Sequence, residues 1–314
     1  MKIYLAPMEG LADHYLRRLI AKVGGYDLVF TEFVRVVDIL LPKRVFIKQA
    51  PELNNNGRTE CGTPIRVQLL GSNPDAIALN AIRACELGSH GIDLNFGCPS
   101  KTVNSSNGGA ALLKEPETIY RVVKSVRDAI PAEQPLSSKM RLGFDDETLM
   151  WECAEAIASG GAGEIIVHAR TKAQGYKPPA YWHKAEAFEK RLNIPLVING
   201  EIWTTADAQK ALFEAQATSL MLGRGAIRNP FLANEISQSQ ASSNWEDIVP
   251  LILEFWDEIT ATMAARYCCG RLKQWLSILK TAYEPANQLF IAIRGANDVV
   301  EVEQTLRSKY PEYY

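Results

Sequence analysis

The chain has 314 residues, of which 47% are hydrophobic, and its formal net charge is −2. This length suits a large α/β domain, and the near-neutral charge excludes a globally basic nucleic-acid-binding protein while leaving room for a local basic surface. The six cysteines form no C-x-x-C pair, so we expect reduced thiols and no metal site. The N-terminus has no signal-peptide pattern and the sequence has no stretch of 18 apolar residues, so we expect no membrane span and a cytoplasmic protein.

Short apolar segments alternate with segments of helical period along the first three quarters of the chain. The predicted strands are residues 3–8, 28–33, 65–71, 91–97, 137–143, 164–170, 195–200 and 219–225. The predicted helices include residues 73–88, 115–130 and 204–216, which carry an early proline or a threonine cap at the start. Eight strands, each followed by a helix or loop, predict an α/β fold of the (β/α)8 TIM-barrel type, with a doubly wound open sheet as the alternative.

The last quarter of the chain is different. The small polar sequence QSQASSN (238–244) predicts a domain boundary, and residues 245–267, 270–284 and 287–296 have a helical period with little strand signal. We therefore expect a barrel domain over residues 1–243 and a helical domain over residues 244–314. The sequence NNNGR (54–58) predicts an excursion between the second and third strands.

Polar residues and glycines gather at the C-terminal ends of the predicted strands, where the active sites of barrels are built. The sequences NGE (199–201) and GRG (223–225) end strands seven and eight, where loops often bind a phosphate with the help of a short helix. Residues 229–236 are the predicted source of that helix. A phosphate-bearing cofactor explains these features, whereas the absence of G-x-G-x-x-G after strand one disfavours a Rossmann NAD site.

Several motifs resemble those of the tRNA-dihydrouridine synthase family over nearly the whole chain. They are APMEG (6–10), VQLLG (67–71), DLNFGCPSKTVN (93–104), KMRLG (139–143), VHARTKAQGY (167–176), NGEI (199–202) and GRGA (223–226). Two further segments, FVRVVD (33–38) and GRLKQWLS (270–277), resemble the C-type bacterial branch. The resemblance implies an FMN-binding catalytic barrel over residues 1–243 and a tRNA-binding helical domain over residues 244–314.

The resemblance also implies a reaction. A flavoprotein of this family uses FMN and NADPH, with NADH as the alternative reductant, to reduce the C5–C6 double bond of a D-loop uridine in tRNA, and the branch implies position 16. Cys98 matches the general acid that protonates C5, and its thiol, with an ordinary pKa of about 8.5, is mostly protonated at neutral pH. The partner is then tRNA, without DNA or membrane, and we expect a monomer.

The remaining site residues are implied by the same resemblance. The cofactor-binding residues are Pro7, Met8, Glu9, Gln68, Lys139, His168, Asn199, Gly200, Glu201, Gly223 and Arg224. The residues expected to contact the uracil or the flipped nucleotide are Asn95, Arg141 and Tyr176. The cations expected to contact tRNA are Arg35, Arg271, Lys273, Lys280 and Arg294. Residues 266–294 hold five basic residues against one acid, a local excess of +4 that suits phosphate contacts.

Two other functions fit parts of the sequence. A flavin barrel dehydrogenase that acts on a free pyrimidine would share the fold and cofactor but would need no basic helical domain, so binding to tRNA would distinguish it. A non-catalytic RNA-binding barrel would lack flavin, so flavin absorbance in the purified protein would argue against it.

Overall fold

The computed structural model describes residues 1–105, 107–238 and 243–314. The strands of its sheet are β1 Lys2–Leu5, β2 Leu28–Phe30, β3 Val34–Arg35, β4 Ile65–Leu70, β5 Ile92–Phe96, β6 Leu136–Gly143, β7 Glu164–Thr171, β8 Leu196–Asn199 and β9 Ser219–Leu222. Their order in the sheet is β2-β1-β9-β8-β7-β6-β5-β4-β3, and the pairing of β2 with β4 closes the sheet into a barrel of parallel strands.

The short segments β2 and β3 are two parts of one barrel strand. Both pair with β4, since Val29 lies opposite Ile65 and Val34 lies opposite Leu69. The barrel therefore has eight strand positions, and the predicted TIM barrel is confirmed.

Helices cover the outside of the barrel, and some of them begin with a side-chain cap. Asn73 caps α3 (Pro74–Glu86) by accepting from Ala76 N, with Pro74 in the first turn. Thr204 and Asp207 form a capping box at the start of α8 (Thr205–Ala215). The helices of this part are α1 His14–Val23, α2 Lys43–Gln49, α3 Pro74–Glu86, α4 Lys101–Asn104, α5 Pro116–Ala129, α6 Met150–Ser159, α7 Phe188–Leu192, α8 Thr205–Ala215, α9 Arg224–Arg228 and α10 Leu232–Gln238. Short 3-10 helices span Pro51–Asn55, Gly109–Lys114 and Trp182–Ala185.

The barrel interior is filled, so it is a packed core and not a channel. Its apolar layer is formed by Tyr4, Ala6, Leu28, Phe30, Ile166, Val197 and Met221. The outward-facing strand residues pack in a second, larger cluster with the surrounding helices. A filled interior leaves the mouth at the C-terminal strand ends as the place where a ligand can enter.

The C-terminal helices are α11 Trp245–Thr262, α12 Ala265–Leu279, α13 Glu284–Ile293 and α14 Val299–Lys309, followed by a 3-10 turn at Pro311–Tyr313. The single helix predicted over 245–267 is in fact α11 and the start of α12, because Met263 is extended (φ −95°, ψ 152°) and ends the first helix. Within the predicted boundary segment 238–244, residues 239–242 lie outside the described residues. None of the helices that the structure describes is long and apolar enough to cross a bilayer.

The helical part is fastened to the barrel by ionic and hydrogen-bonded contacts. Arg18 of α1 pairs with Glu254 (3.2 Å) and Glu258 of α11. On α12, the indole nitrogen of Trp275 donates to the backbone oxygen of Ile227, which lies just after β9, over 3.1 Å. These contacts place α12 beside the barrel mouth.

Candidate active site

A cavity of about 440 Å³ opens at the C-terminal ends of the strands, within the size range of small-molecule sites. It is lined by every residue predicted to bind the cofactor or to contact the uracil: Pro7, Met8, Glu9, Gln68, Asn95, Cys98, Lys139, Arg141, His168, Tyr176, Asn199, Gly200, Glu201, Gly223 and Arg224. Lining residues without a predicted role include Phe33, Arg170, Ile202 and Trp203. Thus the strand-end pattern located the cavity. Phe33, Arg170 and Ile202 lie within the motifs of the resemblance and Trp203 lies just after one, but none of the four was given a function.

The loop that carries Cys98 is held by its own neighbours. The side-chain oxygen of Asn95 accepts from the backbone N–H groups of Gly97 and Cys98, both over 2.9 Å. The carbonyl oxygen of Cys98 accepts from Ala110 N (3.1 Å) and from the side chain of Asn104 (2.9 Å). The amide of Asn95 is therefore engaged in shaping the loop, a role that the expected uracil contact did not anticipate.

The electrostatic surroundings keep the Cys98 thiol protonated. Burial raises its pKa above the ordinary value, and the carboxylate of Glu9 raises it further, although a backbone hydrogen bond at Ser100 and the cations Arg141 and Lys139 act in the opposite direction. Burial also raises the pKa of Glu9. A thiol with a raised pKa suits proton donation and not nucleophilic attack, which requires the thiolate.

Lys139 extends from β6 into the same cavity. Its ammonium group donates to the side-chain oxygen of Asn199 over 3.0 Å, and the amide nitrogen of Asn199 donates to Met221 O over 2.7 Å. Burial, followed by the charge of Arg141, lowers the pKa of Lys139 to about 8. The group is thus mostly charged at neutral pH, and a nearby negative charge on a ligand would stabilise it.

The β7–β9 side of the cavity has an excess of cationic groups. Arg170 and Arg224 approach the same oxygen of Glu201, at 2.9 and 3.2 Å. Among the residues that the structure describes, no acceptor is aligned for a hydrogen bond with the buried Nη2 of Arg170, despite that ion pair. Burial and the neighbouring arginines hold the pKa of His168 well below its ordinary value, so it is neutral. Two guanidinium groups that share one carboxylate can accommodate an additional anion.

Arg141 joins two loops at the cavity mouth. Its guanidinium donates to the backbone oxygens of Gly97 (2.9 Å), Thr171 (3.1 Å) and Gly175 (3.0 Å), and the residue is 1% exposed. This use of the donors was not expected, and it makes Arg141 a link between the Cys98 loop and the Tyr176 loop. Tyr176 is 52% exposed and lies over the guanidinium groups of Arg141 and Arg224, at 5.2 and 4.8 Å from the ring centroid.

The prediction that residues 229–236 form the helix beside the cavity is wrong. The helix next to the cavity is α9, which begins at Arg224 directly after β9, whereas α10 begins only at Leu232. The backbone approaches closely at this point, because a Cβ atom on Gly225 would lie 2.0 Å from the carbonyl oxygen of Ile202. The glycine therefore allows the chain to turn into α9 immediately.

The cations predicted to contact tRNA lie outside the cavity lining. Arg35 is exposed at the end of β3, and Arg294 is exposed at the end of α13. Lys280 lies 4.0 Å from the centroid of the Phe290 ring, and Lys273 donates to the carbonyl oxygen of Ala296 over 2.8 Å. None of these four residues lines the cavity that contains the Cys98 thiol and Lys139.

Arg271 occupies an unexpected environment. Its side chain is 10% exposed, forms an ion pair with Asp13 over 2.7 Å and donates to the backbone oxygen of Leu11 over 2.6 Å. Asp13 is also the N-cap of α1. Arg271 therefore fastens α12 to the barrel mouth, and its guanidinium is engaged within the protein instead of being presented to solvent as expected.

Comparison with known proteins agrees with these features. The profile of the family described as dihydrouridine synthase (Dus) matches residues 4–309. The chain belongs to the dihydrouridine synthase family. It is 48% identical to the tRNA-dihydrouridine(16) synthase of Pseudomonas putida over 98% of this chain and 96% of the relative. It is 47% identical to the protein of the same name from Haemophilus influenzae, over 98% of this chain and 100% of the relative.

Two solved structures with the same fold are much more distant in sequence than these relatives. Morphinone reductase, solved with tetrahydroNAD, shares 12% identity at a TM-score of 0.52, with 77% of this chain and 88% of the other covered. The 2-naphthoyl-CoA reductase complex shares 11% identity at a TM-score of 0.57, with 76% and 50% covered. At this level of identity the likeness extends to the barrel fold alone.

Proposed function

We propose that the chain is a tRNA-dihydrouridine(16) synthase that depends on FMN and is driven by NADPH. The observation that carries the proposal is identity of 45–48% to proteins of that name from several bacteria, over nearly the full length of both chains. The family match fixes the class of enzyme, and these relatives supply the position of the target uridine.

The residues of the cavity fit FMN. The excess of positive charge from Arg170 and Arg224, with a buried guanidinium nitrogen that lacks an aligned acceptor, suits a phosphate. Gln68 and Lys139, which also line the cavity, offer polar groups to a ring edge. Pro7, Met8 and Glu9 would lie along the ring, and His168, Asn199, Gly200, Gly223 and Arg224 along the chain and phosphate. When bound, FMN supplies the hydride that reaches C6 of the uracil.

Cys98 completes the reduction by transferring its proton to C5. The product gains one hydride at C6 and one proton at C5, and the thiol becomes a thiolate that takes a proton from solvent. The raised pKa of Cys98 favours the protonated form before transfer, and the charges of Lys139 and Arg141 stabilise the thiolate afterwards. Both protonation states are therefore accessible in the same cavity.

The substrate has to bring its base to the cavity floor, which requires the uridine to leave the stacked tRNA. The half-exposed ring of Tyr176 stands at the mouth, where it offers an apolar face to an incoming base. We assign residues 1–243 to catalysis and residues 244–314, with Arg35, Lys273, Lys280 and Arg294, to binding the body of the tRNA.

The proposal is tested by mapping dihydrouridine in tRNA from cells that lack all other synthases. We expect the wild-type protein to modify uridine 16 in the presence of FMN and NADPH, with slower reduction by NADH. Modification at position 17 or 20 would contradict the branch while leaving the enzyme class intact. Reduction of free uracil at the same rate as tRNA would favour a pyrimidine dehydrogenase instead.

A further inference from the structure

A line of hydrogen bonds runs through the barrel interior toward the Cys98 loop. Arg66 Nη1 donates to Ser137 Oγ over 3.0 Å, and Ser137 Oγ donates to Asp93 Oδ1 over 2.6 Å. The other carboxylate oxygen of Asp93 accepts from Gln68 Nε2 over 2.6 Å. Gln68 Oε1 in turn accepts from Asn95 Nδ2 over 2.8 Å. The line ends where Asn95 accepts the two backbone N–H groups of the loop.

The direction of this line is set by Asp93. An ionised carboxylate only accepts hydrogen bonds, so Gln68 has to turn its NH2 group toward Asp93 and its oxygen toward Asn95. Asn95 then has to turn its NH2 group toward Gln68 and its oxygen toward Gly97 and Cys98. A single carboxylate thereby fixes the orientation of two amides, each of which could otherwise be rotated by half a turn.

Burial makes the arrangement costly to break. Asp93, Gln68 and Ser137 are fully buried, and Arg66 and Asn95 are less than 10% exposed. A donor or acceptor left without a partner in such surroundings costs about 1–3 kcal/mol, because water cannot replace the lost bond. The charged groups that face Asp93 are Arg66 of β4 and Lys139 of β6, with Glu164 of β7 paired to Arg66 at 3.4 Å.

We propose that Asp93 is a positioning residue for Cys98, which it controls through the amides of Gln68 and Asn95. This inference rests on the proposed function of Cys98 as the proton donor, and it assigns a role to a residue that does not line the cavity. Three successive hydrogen-bond steps, through Gln68 and Asn95, separate the Asp93 carboxylate from the loop. Because this carboxylate can only accept hydrogen bonds, it determines the geometry of the loop and hence the position of the thiol.

The informative change is Asp93→Asn. If the new NH2 group faces Gln68, both amides reverse, and the NH2 group of Asn95 then faces two backbone N–H groups with no acceptor between them. If it faces Ser137 instead, the hydroxyl has to accept from it as well as from Arg66, and the buried hydroxyl proton loses the carboxylate oxygen that accepts it. The variant therefore populates a reversed, loosened loop. The matched control is Ser137→Ala, which removes one bond to the same carboxylate on the side away from Cys98.

The test measures alkylation of Cys98 by iodoacetamide in the purified protein, with the exposed Cys61 of the same molecule as the internal reference. We expect Asp93→Asn to raise the ratio of Cys98 to Cys61 alkylation about 10-fold, and to lower turnover on tRNA by up to about 100-fold, the cost of a small misplacement of a reacting group. Ser137→Ala should change each by less than about 3-fold.

An unchanged alkylation ratio in folded Asp93→Asn protein would overturn the inference, as would equal effects of the two variants. If Asp93→Asn does not fold, Gln68→Met cuts the line one link nearer to Cys98. Because Gln68 is also assigned to the flavin edge, the ratio is then compared between flavin-free wild type and flavin-free variant: a rise supports the inference and no change overturns it. The ratio does not require catalysis. A wild-type protein without dihydrouridine formation would therefore refute the proposed function separately.

Discussion

The thiol of Cys98 and the carboxylate of Glu9 line the same cavity, and each is partly withdrawn from water. A carboxylate near a thiol disfavours the thiolate, so Glu9 adds to the effect of burial in raising the pKa of Cys98. The other five cysteines lie elsewhere, and three of them, Cys153, Cys268 and Cys269, are buried in packing positions. Position, and not sulfur chemistry alone, distinguishes Cys98.

The first prediction concerns this proton. Cys98→Ala should retain flavin and tRNA binding and lose about 100- to 10,000-fold in turnover, because general acids contribute a factor of that size. The measurement is single-turnover formation of dihydrouridine, with flavin content read from absorbance. Cys61→Ser, on an exposed loop, is the control and should behave as wild type. A fully active Cys98→Ala protein would remove Cys98 from the mechanism.

The second prediction follows from Lys139, whose pKa is lowered to about 8. The group is charged below about pH 8 and neutral above it, so flavin affinity should weaken as the pH rises from 7 to 9. The flavin-free protein should respond in the opposite sense. Because the folded-state pKa of about 8 lies below the unfolded value of about 10.4, Lys139 destabilises the fold at full strength below about pH 8, and this destabilisation is lost progressively as the pH rises from about 8 to about 10.4.

Both effects are measured as differences between wild type and Lys139→Met, which cancels the titration of other groups. Flavin fluorescence gives the affinity, and thermal unfolding of flavin-free protein gives the stability. Flavin affinity with the same pH dependence in both proteins would show that the charge of Lys139 does not hold the cofactor.

At the scale of elements, strand number and the cavity could be predicted because they depend on local pattern. Buried parallel strands are short apolar runs, and their C-terminal ends meet at one mouth, so polar residues after each run come together. The break between β2 and β3 could not be predicted this way. There, Thr31 Oγ1 donates to Glu32 O (2.8 Å) and accepts from the backbone N–H of Gln68 in β4 (3.2 Å). The side chain of Thr31, a residue of high strand propensity, therefore replaces part of the backbone hydrogen bonding between neighbouring strands.

Long-range partners account for the other differences. The pairing of Arg271 with Asp13 joins residues 258 positions apart, and no local period indicates it. The shared carboxylate of Glu201 and the amide line below Cys98 also depend on neighbouring strands. The sequence predicted a functional role for Arg271, Glu201, Gln68 and Asn95. The partners of these residues, which include Asp13 and Asp93, are set by the folded chain and were not predicted.

At the scale of the whole molecule, the relation between α12 and the barrel mouth determines which cations can reach RNA. Arg271 is engaged by Asp13 and Leu11, and Lys273 by the carbonyl of Ala296, whereas Arg294 is exposed. Phosphate contacts orient a nucleic acid without reading its bases, so the exposed cations should decide which uridine enters. This revises the expectation that Arg271 contacts a tRNA phosphate.

The last prediction separates these two kinds of arginine. Arg294→Ala should weaken tRNA binding and reduce the slope of log K against log salt by about 0.7–0.9, the value for one phosphate contact. Arg271→Ala should leave that slope nearly unchanged and instead lower the melting temperature, because it removes an ion pair and a backbone contact between α12 and the barrel. Fluorescence anisotropy of labelled tRNA over a salt series gives the slopes, and thermal unfolding gives the stabilities. Suppose instead that Arg271→Ala reduced the slope as much as Arg294→Ala without loss of stability. Arg271 would then have to leave Asp13 when tRNA binds, and the helical part would contact tRNA through the side chain that now joins it to the barrel.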